Sequence, residues 1–273
     1  GCDVVTFDHE HVPPDYLREL ERAGAAVRPG PSALVHAQDK IAMREALSAA
    51  GLPTPRWRRV SDDIAEVGDD LGWPLVLKVS RGGYDGRGVW VVASESEARG
   101  VMASNELGLG AAWLAEEFVP FTRELAAQVA RTLDVTGMLA VELFDTGDGV
   151  LVNELAMRPH NSGHWTIDGA VTSQFENHLR AVLDLPLGDP HARAPWSVMV
   201  NVVGPPDAAT LPPLYDAYRH LMARDPGLKV HLYGKEPRPG RKLGHVTVVG
   251  DDLDDLLARA HHAADYLTGA IDE

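Results

Sequence analysis

Between Lys78 and Val89 the chain carries Arg81, Gly82, Gly83, Tyr84, Asp85, Gly86, Arg87 and Gly88, so four glycines alternate with an aromatic ring, an acid and two bases. Backbone N–H groups of glycines can surround phosphate oxygens, and a loop of this kind can close as a lid. Lys78, on the apolar run just before the loop, is placed to meet a phosphate as a point charge. The loop is not a P-loop, which needs Gly-Lys-Ser/Thr, nor a G-x-G-x-x-G turn, and a strand rather than a helix follows it. A plain glycine-rich hairpin turn is the bland alternative.

Three further groups could do chemistry. Glu142 in LAVELF and Glu154 in VNELAM sit in apolar strands, where a charge is costly unless paired or metal-bound. Two such oxygens suit Mg²⁺, which binds through one or two carboxylates plus substrate phosphates; water-facing edge glutamates are the alternative. RPHNSGHWT gathers Arg158, His160, Asn161, Ser162 and His164, which fit an anion or sugar-hydroxyl site better than zinc, since no third ligand accompanies the histidines. KEPRPGRKLGH, with Lys235, Arg238, Arg241, Lys242 and His245, suits a phosphate monoester or is a solvated basic turn. His9 and His11 could also bind a metal, although strand-end histidines are more often structural or solvent-facing.

A net charge of −15 over 273 residues, 45% of them hydrophobic, argues against nucleic acid or an anionic membrane as the main partner. Cys2 is the only cysteine, so neither an internal disulfide nor a cysteine metal site is available, which fits a reducing cytoplasm. No run approaches the ~18 apolar residues of a membrane span. The chain opens without Met in a strand-like run, Val4–Phe7, and is expected to be a fragment or a set of joined segments.

These groups need elements to hold them. Val4–Val12 reads as a strand end whose alternation would put Asp8 and Glu10 on one face and His9 and His11 on the other. Asp15 is expected to cap a helix running to about Gly24, and AQDKIAMREALSAAG reads as one amphipathic helix. Residues 75–92 read as a hairpin around the glycine loop, RELAAQVAR as a strand, and MLAVELFDTGDGVLVNELAMRP as strand, TGDG turn, strand. SQFENHLRAVLDLPLG is expected to be a helix with Gly188 past its end. SVMVNVVG, KVHLYGK and LGHVTVVG read as strands and Asp252–Leu267 as the last helix. ELAAQVAR meets TLDVTGMLAVELF with little turn chemistry, so a segment is expected to be missing after Arg131.

Taken together and in order, LVLK, RGGYDGRG, EEFV, AVELF with VNELAMRPHNSGHWT, and RPGRKLGH closely resemble the ATP-grasp enzymes of purine synthesis that form N5-carboxyaminoimidazole ribonucleotide. The resemblance covers nearly the whole chain. It implies an α/β (α+β) ATP-grasp fold: residues 1–32 as the remnant of an N-terminal nucleotide-fold domain, 33–188 as the ATP-grasp domain with a lid at about 53–131, and 189–273 as a small C-terminal domain.

It further implies that ATP and bicarbonate yield carboxyphosphate, which carboxylates 5-aminoimidazole ribonucleotide (AIR), in a cytoplasmic homodimer using Mg²⁺. Lys40 and Lys78 would meet the ATP phosphates beside Gly82, Gly83 and Gly86. Glu116, Glu117, Phe118 and Val119 would read the adenine edge through the backbone, Glu124 would take the ribose, and Asn153 would lie beside the nucleotide. Glu142 and Glu154 would hold Mg²⁺. Tyr84, Asp85, Arg87 and Arg158 would be catalytic, with Tyr84 also contacting AIR. Glu10, His160, Asn161, Lys235, Arg241 and Lys242 would bind the substrate.

The chain departs from the pattern where Leu155, Ala156 and Met157 follow Glu154, which removes the usual amide ligand of a second Mg²⁺. Asp8 replaces a glutamate, and the glycine-rich N-terminal opening is missing. Another ATP-grasp ligase, like a formate-dependent glycinamide ribonucleotide transformylase or a biotin carboxylase, is the rival enzyme reading. A non-catalytic nucleotide-binding fragment is the rival outside enzymes.

Overall fold

Val4–Val5 (β1) pairs in parallel with Ala26–Val27 (β2), and the chain bends at residues 8–10 instead of continuing as a strand. The expected alternation therefore fails: the Asp8 side chain is almost fully exposed, whereas that of Glu10 is largely covered. The computed structural model describes residues 2–60, 63–82, 88–104, 112–118, 132–145, 149–208, 211 and 213–272. The chain divides into two units, Gly1–His160 with Ala181–Leu185, and Asn161–Arg180 with Pro186–Glu273.

In the first unit, Pro14–Arg22 (α1) starts on a proline, which is suited to a first helical position because its missing N–H has no helical partner there. Asp15 therefore falls inside the first turn and, instead of capping, pairs with Arg18 at 2.8 Å. The helix read over residues 37–51 starts only at Lys40 and runs to Ala49 (α3); its first two residues, Ala37 and Gln38, end a separate helix, Pro31–Gln38 (α2), that the sequence reading did not expect. Asp39 breaks them: its backbone is extended, and its carboxylate accepts the N–H groups of Ile41 and Ala42 at 3.0 and 3.2 Å. Met43 and Leu47 join a core with Leu17, Leu34, Leu143, Val152 and Leu155 among its members, and Ile41 is also buried.

Trp57–Val60 (β3), Leu75–Val79 (β4), Val89–Val92 (β5) and Trp113–Glu117 (β6) form an antiparallel sheet in the order β3-β6-β4-β5. Ile64–Leu71 (α4) and Glu95–Ser104 (α5) supply Ile64, Leu71 and Ala98 to its core beside Leu75, Leu77 and Val92. β4 and β5 make the expected hairpin, Lys78 standing opposite Val89. Gly82 and Gly88, on either side of the loop, have φ of 79° and 77°, backbone that a side chain tolerates poorly. Ala140–Asp145 (β7) and Val150–Ala156 (β8) pair antiparallel with Glu142 directly opposite Glu154. The strand read at RELAAQVAR and most of the TGDG turn lie outside the described residues.

In the second unit, Thr166–Gly169 (α6) precedes Gln174–Val182 (α7), which ends well before Gly188; Asp184 takes a positive φ of 57° just beyond it. Trp196–Val203 (β9), Lys229–Leu232 (β10) and Lys242–Gly250 (β11) form an antiparallel sheet in the order β10-β11-β9. Tyr218–Arg224 (α8) and Leu253–Leu267 (α9) cover it, and Leu221, Val246, Val248, Leu256 and Leu267 meet in the core. Asp252 caps α9 by accepting the N–H groups of Asp254 and Asp255.

Candidate functional site

Lys78 lies on β4, buried, and its Nζ reaches Glu116 Oε2 on β6 at 2.7 Å and Asn153 Oδ1 on β8 at 3.3 Å. Arg44 of α3 takes the other oxygen of Glu116, Nε to Oε1 at 2.7 Å, and donates from Nη2 to the Asn153 carbonyl at 3.0 Å. One carboxylate therefore serves two cations, with all three groups out of water. Burial opposes the Glu116 charge, but Arg44 and Lys78 outweigh it and hold that carboxyl below its ordinary range. Burial pushes Lys78 down; Glu116 works against this and Arg44 adds to it.

From Asn153 the network runs on to the facing carboxylates. Its amide donates to Glu142 Oε2 at 3.4 Å, and His160 Nε2 stands 3.4 Å from Glu142 Oε1. Lys40 Nζ is 3.7 Å from Glu154 Oε1. Glu142 and Glu154 keep part of their surface open, 42% each, so a ligand can still reach both. The start of α3 is fastened to the entrance of the glycine loop: Lys40 N–H donates to the Ser80 carbonyl and Arg81 Nε to Asp39 Oδ2, at 2.9 and 2.8 Å.

Arg158, just past β8, grips Glu10 with both Nε and Nη2, the latter at 3.2 Å from Oε1. Gln38 holds the loop around Glu10 by donating to the carbonyls of Glu10 and Val12, both at 2.7 Å. β6 has a neighbour on each side, and Glu117 N–H donates to the Arg56 carbonyl at 3.0 Å. The backbone of Glu116 and Glu117 is thus engaged in the sheet, whereas Phe118 is exposed beyond its end. Gly83, Tyr84, Asp85, Gly86, Arg87, Val119 and Glu124 lie outside the described residues.

In the second unit, Asn161 opens a short turn, Asn161–Gly163. Lys235 Nζ sits 5.1 Å from the centre of the Tyr233 ring, and the Tyr233 hydroxyl meets His245 Nδ1 at 2.7 Å. Arg241 Nη1 donates to the Glu236 carbonyl at 3.2 Å, and Lys242 begins β11. The His231 ring stacks on that of His245, with centroids 4.7 Å apart, and its Nε2 meets Asp168 at 2.7 Å. Burial, reinforced by His231 and His164, pushes His245 down to about 4.

Sequence reasoning did not pick out Arg44 or His231, nor that His231 stacks on His245. Arg44 did carry a signal, being a charge on the buried face of α3 three residues from both Ile41 and Leu47. His231 and His245 are register partners across β10 and β11, which only the strand pairing reveals.

Comparison with known proteins bears on this geometry. The ATP-grasp domain family matches residues 45–134 and 123–175, and the phosphoribosylaminoimidazole carboxylase C-terminal domain matches 197–259. A Mycobacterium tuberculosis protein named N5-carboxyaminoimidazole ribonucleotide synthase is 45% identical over 321 aligned positions, covering 98% of this chain and 74% of the relative. The crystal structure of the Thermus thermophilus synthetase superposes with a TM-score of 0.78 at 33% identity, over 100% of this chain and 83% of that one. That of the Aspergillus clavatus synthase with ADP and 5-aminoimidazole ribonucleotide gives 0.80 at 27% identity, over 99% and 82%.

Proposed function

Because this chain belongs to the N5-carboxyaminoimidazole ribonucleotide synthase family, and is thereby an ATP-grasp ligase that carboxylates AIR at the expense of ATP in purine biosynthesis, we propose that the linked Lys40, Lys78, Asn153, Glu142 and Glu154 form its nucleotide site. The observation that carries this reading is the continuous path from Lys78 through Asn153 to Glu142, with Glu154 opposite and Lys40 beside it. Two cations for phosphate and two facing carboxylates suit a nucleoside triphosphate with its metal.

Glu142 and Glu154 fit Mg²⁺, being hard oxygen donors side by side and partly open, and the ion would offset charge on the transferring phosphoryl group. Lys40 and Lys78 do the same from the protein side, where positioning and electrostatics supply most of the rate. An oxygen of bicarbonate attacks the γ-phosphorus, ADP leaves, and carboxyphosphate results. The exocyclic amine of AIR then attacks the carboxyl carbon, releasing phosphate and a proton. Arg158, its guanidinium fixed by Glu10, would hold bicarbonate with His160 nearby on Glu142.

Tyr84, Asp85 and Arg87 are assigned to AIR and bicarbonate, and Gly82, Gly83 and Gly86 to the ATP phosphates. Glu116 is read as a side-chain anchor for Lys78, so backbone recognition of adenine falls to Phe118 and Val119, with Glu124 on the ribose. Lys235, Arg241 and Lys242 are assigned to the AIR phosphate, and Asn161 to the substrate.

A homodimer working in the cytoplasm completes the reading. Exposed Phe175 and Leu179, one turn apart on α7, supply apolar surface for a second copy. No helix among the described residues is long and apolar enough to cross a membrane. The gap expected after Arg131 is supported by the 321 aligned positions, 48 more than the chain has residues, and by the two ATP-grasp matches overlapping at 123–134.

The test is phosphate release with ATP, bicarbonate and AIR, each omitted in turn. Turnover should need all three; formate should not replace bicarbonate, and biotin should not replace AIR. Equal turnover without AIR would overturn the reading.

A further inference from the structure

Arg44 is completely buried, although a single cation would suffice to neutralise Glu116. A carboxylate and one lysine out of water form a neutral pair, which a nearby anion feels only weakly. Adding Arg44 makes the group two cations and one anion, a net positive charge in a low-dielectric setting. That excess costs free energy in the protein alone. A separate cost comes from Arg44 Nη1, which is buried and makes no hydrogen bond among the described residues. Arg44 cannot supply its charge directly by swinging outward, because Nε is tied to Glu116 and Nη2 to the Asn153 carbonyl.

We propose that Arg44 is a positioning residue for the nucleotide site: by sharing the Glu116 carboxylate, it leaves Lys78 with uncompensated charge for the phosphates of ATP. Each oxygen of Glu116 meets one cation at 2.7 Å, so the carboxylate is divided between them. Glu116 fixes where the Lys78 ammonium sits, and Arg44 prevents Glu116 from cancelling it. The arrangement also joins α3, β4, β6 and β8, the four elements that carry Lys40, Lys78, Glu116 and Asn153. This inference rests on the reading of Lys78 as a phosphate ligand.

The experiment measures ATP affinity by calorimetry on the full chain, with Mg²⁺ present and a thermal melt of each variant. Arg44→Met should weaken ATP binding about tenfold, the loss of one charge-assisted interaction. Arg44→Lys should stay within about threefold of the parent protein, because the charge remains. The decisive variant is Arg44→Met with Glu116→Gln, which removes one charge of each sign and leaves Lys78 uncompensated again. It should recover most of the affinity lost in Arg44→Met. If Arg44→Met does not fold, the double variant still decides, since it should bind ATP far better than Lys78→Met. Unchanged affinity in Arg44→Met, or a double variant as weak as Lys78→Met, would overturn the inference. Unchanged affinity in Lys78→Met would instead overturn the site reading on which it rests.

Discussion

Glu10 and Arg158 are 148 residues apart in the chain and share a two-pronged ion pair, Nε on one carboxylate oxygen and Nη2 on the other. The pair ties the bend after β1 to the residues leaving β8, where Glu154 lies four positions earlier. Burial works against the Glu10 charge, but the Arg158 guanidinium outweighs it and holds the carboxyl below its ordinary value of 4.5. Arg158 is thereby held in one orientation at the end of the strand that carries Asn153 and Glu154.

Glu10→Gln should cost about 2 kcal/mol at neutral pH, because Arg158 loses a charged partner in a largely covered site. A carboxyl depressed by folding stabilises above its unfolded pKa and loses that contribution as pH falls through the folded one. The gap in melting temperature between parent and variant should therefore be full above pH 4.5 and shrink below it. A gap that does not change with pH would contradict the pairing.

Glu154→Gln should raise the Mg²⁺ concentration needed for half-maximal ATP turnover by on the order of tenfold, since one anionic oxygen becomes a neutral amide. Its fold should be little changed, because the carboxylate is partly open and its Lys40 contact is long at 3.7 Å. A Mg²⁺ titration identical to that of the parent would remove Glu154 from the metal site.

Arg241→Ala should raise the KM for AIR about tenfold and leave kcat nearly unchanged, as expected when a ground-state phosphate contact is lost. Steady-state rates over an AIR titration test this. An unchanged KM would take Arg241 out of the pocket.

His245 should make the protein acid-sensitive. Its pKa is lowered from 6.5 to about 4, so between those values the unfolded chain binds a proton that the folded protein does not. Its contribution is present above pH 6.5 and is lost as pH falls towards 4, up to about 3 kcal/mol. His245→Gln should flatten the fall in melting temperature across this window. An equally steep fall in the variant would contradict a buried neutral imidazole.

Much of the site was legible because local patterns determine it. Alternating apolar residues around TGDG imply paired strands, and the pairing puts Glu142 opposite Glu154. The glycines beside Lys78 imply a hairpin loop, and β4 and β5 flank it. The break between α2 and α3 was hidden because apolar periodicity runs straight across Asp39, whose capping competes with a continuous helix. Pro14 likewise displaced Asp15 from the cap. The Arg44–Glu116 and Arg158–Glu10 pairings, 72 and 148 residues apart, depend on how the elements pack; the buried position of Arg44 on α3 shows in the sequence, but its partner does not.

The most direct test of the central claim is AIR-dependent ADP formation by Lys78→Met beside the parent chain. Arg44 still neutralises Glu116 in this variant, so it should stay folded, with a melting temperature close to that of the parent. The account predicts that AIR-dependent ADP formation falls by at least about 100-fold, as when a preorganised group facing the transition state is removed. A folded Lys78→Met variant that forms ADP at a rate near the parent's would contradict it.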